Sequence, residues 1–104
     1  MPSGSHNPNI HKVLTADGVV TTAGKAGILY SVNVYGDDDS VLADLVDGGT
    51  GGTVILSVAS VAGAQGSQSW TSVDGIVFNT DIFCNVTKAA TNARVTVEYK
   101  QIED

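Results

Sequence analysis

Residues 13–99 of this chain are a series of short runs rich in Val, Ile, Thr and Ala, broken about every eight to twelve residues by Gly or Asp, with no long stretch of helical periodicity. A strand that covers a core on one side and meets water on the other alternates with period two. Many such strands separated by turn residues are the sequence form of an all-β sandwich or barrel. The same stretch holds no histidine, one cysteine and only scattered acids. The pattern makes the fold legible while the chemistry is sparse, which points to a structural or binding module.

The 104 residues suffice for one domain that removes roughly 60 to 70% of its unfolded surface from water, so folding requires neither disulfides nor metals. Charged residues are 15% of the chain against 42% hydrophobic, which excludes disorder for most of the length. Eleven acids against five bases leave a net charge of −6, a field that repels phosphate and argues against DNA or RNA as partner. No segment approaches the roughly 18 to 20 consecutive apolar residues of a membrane span, and the N-terminal MPSGSHNPN lacks the basic start and apolar centre of a signal peptide. A soluble protein made in a cytoplasm, with no membrane partner, is expected. Cys84 has no second cysteine to bond and lies in the apolar run 82–86, where a small buried thiol packs well.

Residues 1–9 offer nothing to bury and read as an extended N-terminal arm, followed by a single β-sandwich domain over residues 10–104. Ordering a backbone costs about 1 to 2 kcal/mol per residue, more than the little apolar surface of residues 1–12 can offset, so mobility is expected through residue 12 in the isolated protein. A strand over 10–15, the Asp17-Gly18 turn and a second run over 19–22 read as a hairpin. Residues 27–36 alternate, with Ile28, Tyr30, Val32 and Val34 on one face and Leu29, Ser31, Asn33 and Tyr35 on the other. Residues 41–46 read as a strand with Val41, Ala43 and Leu45 inward, although Val41, Leu42 and Leu45 also suit one helical turn capped by Ser40.

The Gly-rich segment 47–52 reads as a hairpin loop leading into a strand over 53–61. There Val54, Leu56 and Val58 share one side, and small residues on the other suit close packing or contact with another chain. A polar stretch over 63–72 holds Trp70. The Asp74-Gly75 turn follows, then strands over 76–78, 82–88 and 93–102, the last with Val95, Val97 and Tyr99 inward and Arg94, Thr96, Glu98 and Lys100 solvated. The expected core is Ile28, Tyr30, Val32, Val34, Val54, Leu56, Val58, Phe78, Ile82, Val86, Val95 and Val97. Roughly eight strands make two four-stranded sheets, and a jelly-roll-like antiparallel β-sandwich is the natural closure. An immunoglobulin domain is disfavoured because its cysteine pair and intervening tryptophan are missing.

Several groupings carry chemistry in other proteins. Asp37, Asp38 and Asp39 offer clustered oxygens for Ca²⁺, but counting from Asp37 puts Gly48 where an EF-hand needs its bidentate Glu, so solvated turn acids are the better reading. Gly48, Gly49, Gly51 and Gly52 have the flexibility of a phosphate-binding loop, yet no Lys follows and Asp44 and Asp47 stand close by. Asn85-Val86-Thr87 fits a glycan acceptor but falls inside a strand. His6 and His11 lie in or beside the arm, where no base is held against a nucleophile, and no pair of carboxylates is distinguished, so no catalytic residue, metal or cofactor is assigned. Trp70 with Tyr35 could stack on a sugar, and Trp70 equally suits capping one end of the core.

Gly24-Lys25-Ala26-Gly27 leads into Tyr30-Ser31-Val32-Asn33-Val34. Ala43-Asp44-Leu45-Val46-Asp47-Gly48 comes next, then Gly75-Ile76-Val77-Phe78 leading into Ile82-Phe83-Cys84-Asn85-Val86, and Ala93-Arg94-Val95-Thr96-Val97-Glu98-Tyr99 closes the series. Over about residues 13–100 this order resembles a class of small tailed-phage virion proteins, with a departure at Thr80-Asp81-Ile82, where Phe-x-x-Gly-Ile or Gly-Leu is usual. The resemblance implies a jelly-roll-like capsid decoration, or cement, protein. Such a protein is a homotrimer on the outer capsid surface of the virion that binds the major capsid protein and stabilises the head. The expected contacts are Asn7, Pro8, Asn9, Ile10 and His11 around the root of the arm, and Trp70. The alternative is a carbohydrate-binding sandwich of a tail fibre or surface lectin, which requires exposed aromatics.

Overall fold

The computed structural model describes residues 9–21, 24–37, 39–49, 51–60, 66–88 and 90–101, with the backbone alone at residues 66 and 67. Eight strands follow in order: β1 (Ile10–Leu14), β2 (Gly18–Val19), β3 (Gly27–Gly36), β4 (Val41–Asp47), β5 (Thr53–Ser60), β6 (Gly66–Phe78), β7 (Ile82–Lys88) and β8 (Ala93–Gln101). They form two antiparallel sheets of four, ordered β1-β8-β3-β6 and β2-β7-β4-β5.

The pairing is nested. β1 pairs with β8, β2 with β7, β3 with β6 and β4 with β5. The chain is in effect one long antiparallel hairpin rolled up so that successive rungs fall alternately on two sheets, which is the jelly roll the strand count pointed to. Every connection except the β4–β5 hairpin crosses from one sheet to the other. The 10–22 hairpin expected from the Asp17-Gly18 turn is therefore not formed. Asp17 instead holds a corner between sheets, its Oδ1 accepting the Val86 N–H at 2.6 Å. Past Val19 the chain stays against β7 as Val20 and Thr21 N–H donate to the Ile82 carbonyl, and Thr21 Oγ1 accepts the Ile82 N–H.

Two bulges reset the alternation. Along β3, Leu29 faces Tyr99 and Ser31 faces Glu98, so Tyr30 is an extra residue with no partner on β8. The inward set is consequently Leu29, Val32 and Val34, all fully buried, while Ile28 and Tyr30 are only partly buried. A one-residue slip moves every later side chain to the other face. Here it corrects the expected inward Ile28 and Tyr30. On the other flank of β3, residues 72–75 of β6 protrude opposite the same point, between Thr71 facing Ser31 and Ile76 facing Leu29. Gly75 makes this possible with φ +74°, and its N–H donates to Ser72 Oγ at 3.1 Å. β6 thus begins at Gly66 and takes in residues 66–72 of the polar stretch, which the expected strands left out.

The second bulge lies at Ile55, since Leu45 faces Leu56 and Val46 faces Val54. It turns Val54 outward, 52% exposed, so Val54 is not a core residue. Residues 41–46 are strand, not helix, because pairing with both β5 and β7 satisfies their backbone. Of the expected core, Val32, Val34, Val58, Phe78, Ile82, Val95 and Val97 are buried, and Leu56 and Val86 pack partly buried against them. Leu29, Val41, Ala43, Leu45, Cys84 and Tyr99 complete the inter-sheet layer.

Candidate interaction surface

The outer face of the β1-β8-β3-β6 sheet carries a polar cross-strand ladder, flanked by the exposed Val13 and Val77 and the half-buried Ile28. Glu98 is its hub: its carboxylate accepts Asn9 Nδ2–H at 2.9 Å and Ser31 Oγ–H at 3.2 Å, and His11 Nε2 lies 3.8 Å away. The Asn9 bond holds this carboxyl below its ordinary range against the opposing pull of burial, with Ser31 and His11 adding to the effect. One row over, Asn33 Nδ2–H donates to Ser69 Oγ at 2.6 Å. Arg94 lies over the Tyr35 ring at 5.7 Å from its centre.

The contacts expected at the root of the arm thus divide. Asn7 and Pro8 lie outside the described residues. Asn9, Ile10 and His11 are brought together along β8, where Ile10 faces Tyr99 and is 43% exposed and His11 faces Glu98. Mobility through residue 12 is corrected by this pairing, because β1 ladder bonds begin at Ile10. Trp70 faces Val32 across β3 and β6 and packs partly buried against the core, while Tyr35, three residues beyond Val32, points to the other side of the sheet. The two aromatics make no common platform.

The outer face of the β2-β7-β4-β5 sheet differs. Val19, Phe83, Val46 and Val54 form a row across all four strands. Val19 and Val54 are about half exposed, at 51% and 52%, whereas Val46 is only 2% exposed without belonging to the inter-sheet core. No periodicity in β5 signals this row, because the Ile55 bulge creates it. Beside it Asp44 accepts a hydrogen bond from Ser57 Oγ.

The remaining acids hold loops. Asp47 accepts N–H bonds from Asn79 at 2.8 Å and Thr80 at 3.0 Å, with Asp81 N–H at 3.4 Å. Burial pushes its pKa up, but the three N–H donors outweigh that and hold it below the usual value. Both carboxylate oxygens of Asp37 accept from Asn92, one from the backbone N–H and one from the side-chain amide. Asp39 Oδ1 accepts the N–H of Ser40. Among the described residues no three His, Cys, Asp or Glu side chains converge as a metal site. The glycine-rich segment is the β4–β5 hairpin loop, with Gly48 and Gly49 at positive φ. Cys84 is fully buried, and burial, with lesser contributions from Asp17 and Asp44, pushes its thiol up to about 12. Compared with known families, curated proteins and solved structures, the chain matches none.

Proposed function

We propose that this chain is a structural protein of a tailed-phage particle, which decorates the outer capsid and stabilises the head by bridging neighbouring major capsid protein subunits. The observation that carries the reading is what the polar side chains are used for. Asp17, Asp37 and Asp47 each reach a segment 69, 55 or 32 residues away in the chain to fasten a loop, and Glu98 of β8 holds Asn9, just before β1, and Ser31 of β3. Carboxylates used this way rigidify a scaffold, and the flat sheet faces and edges are then the surfaces available for contact. The resemblance over residues 13–100 supplies the particular setting, and the net charge of −6 suits an outward capsid surface rather than one facing packaged nucleic acid.

The test uses the full chain and particles of a phage whose genome carries this sequence, prepared without the protein. The chain is expected to cosediment with the particles, to appear by cryo-electron microscopy on the outer lattice between capsid subunits, and to raise the temperature at which the particles release DNA. Failure to bind, or density confined to the head interior or a tail fibre, refutes the proposal.

A further inference from the structure

Among the described residues the two four-stranded sheets have four outer edges, at β1, β6, β2 and β5, and three of them are protected. β1 carries His11 and Lys12, β2 is two residues long, and β6 is broken by the protrusion at residues 72–75. Charges, shortness and irregularity are the devices by which sheets avoid edge-to-edge pairing. β5 has none of these over its second half. Its eight residues, Thr53–Ser60, include no charge, Pro or Gly. After the Ile55 bulge, residues 56–60 run in unbroken register with β4, from Leu56 facing Leu45 to Ser60 facing Val41.

We infer that the β5 edge is an interface with a second copy of this chain, formed by antiparallel β5–β5 pairing about a two-fold axis at Val58. An open row of backbone N–H and C=O groups is complemented by another strand. An uncharged β5 offers a charged strand no ion pair, whereas a second β5 needs none and presents the same alternation of buried Val58 and Ser60 with exposed Ser57 and Ala59. Centring on Val58 uses all five regular residues and keeps inner residues opposite inner and outer opposite outer. Val58 then meets its own copy, Leu56 meets Ser60, and the exposed Ser57 meets Ala59 of the second copy.

The net charge of −6 does not oppose this contact. Asp44, on β4 beside Ser57, is the nearest acid on the outer face. The two Asp44 side chains would be separated by three strand spacings, about 14 Å, beyond the Debye length of ~8 Å at physiological salt. A two-fold pair is a closed oligomer, distinct from the trimer implied by the resemblance, and the inference stands independently of any capsid role.

The test is sedimentation equilibrium of the full chain over a concentration series. The wild type is expected to approach twice the 10.6 kDa chain mass. Ser57→Lys and Ala59→Glu, both at exposed positions, each place like charges diagonally across the two-fold axis and are expected to lose the dimer. An equimolar mixture, which sets Lys against Glu, is expected to restore it as a heterodimer. Circular dichroism checks that each variant is folded. A wild-type chain that stays monomeric or forms a trimer overturns the inference. So do variants that dimerise as well as wild type, or a mixture that associates no better than its components.

Discussion

Leu29→Ala and Ile28→Ala remove the same number of carbons from neighbouring positions of β3, and they separate the bulged register from an uninterrupted one. Leu29 is 0% exposed and lies between Tyr99 of β8 and Ile76 of β6. Three buried carbons at about 0.8 kcal/mol each give roughly 2.4 kcal/mol of lost transfer energy. The cavity left between two sheets that cannot readily close raises the cost to about 3 to 4 kcal/mol. Ile28 is half-buried on the outer face beside Val77 and Lys100, where the space refills with water, and its truncation costs about 1 kcal/mol. At about 4 to 8 °C per kcal/mol for a domain of this size, Leu29→Ala lowers Tm by more than about 10 °C and Ile28→Ala by several degrees. Thermal unfolding by circular dichroism and urea unfolding by Trp70 fluorescence measure both, and coincident transitions establish that the comparison is two-state. Equal losses, or a larger loss for Ile28→Ala, would refute the bulged register.

Asp47→Asn weakens the acceptor that fastens residues 79–81 and is expected to cost about 1 to 2 kcal/mol in urea unfolding near neutral pH, moderated because two of the three donors are exposed. The folded pKa of Asp47 lies below its ordinary 3.8, so its contribution is present above that value and is lost as pH falls through the depressed pKa. The wild type should therefore lose more stability than Asp47→Asn on acidification below 3.8, and parallel pH profiles would count against the role. Cys84, with its thiol raised to about 12 and no exposure, should resist thiol reagents in the native protein and react only on unfolding; prompt labelling without denaturant would contradict its burial. Gly75→Ala forces a side chain into φ +74° against Ile28 and the Leu29 carbonyl, and a drop of about 1 to 3 kcal/mol in urea unfolding is expected.

The strands and their number were legible because turn residues and β-branched runs are local signals. Which strands pair was not, as the Asp17-Gly18 turn shows: a reversal looks the same whether it closes a hairpin or turns a corner between sheets. The inward face of β8 followed from alternation, since the extra residue belongs to β3 and leaves Val95, Val97 and Tyr99 of β8 evenly spaced on one face across it. The inward face of β3 failed at Tyr30. An extra residue is defined by what lies opposite it, and the protrusion at 72–75 is distant in the chain. The same limit hid the loop fastenings. Asp47 before Gly48 reads as a turn acid, and nothing near it announces that its carboxylate holds residues 79–81.

The two bulges shape the surface in different ways. At Tyr30 the extra residue coincides with the protrusion on β6, so the irregularity that resets the core register also interrupts an edge strand where pairing with another chain would begin. At Ile55 the extra residue turns Val54 outward beside Val46 and completes an apolar row across four strands, while limiting the regular stretch of the β5 edge to residues 56–60. Strict alternation in β5 would have placed Val54 inward with Leu56 and left a longer flat edge. The bulge exchanges one core valine for a surface row and a shorter edge. The same bulge brings Ile55, in place of Val54, partly buried against the core, so the outward row forms while β5 keeps an apolar contact with the inter-sheet layer at that position.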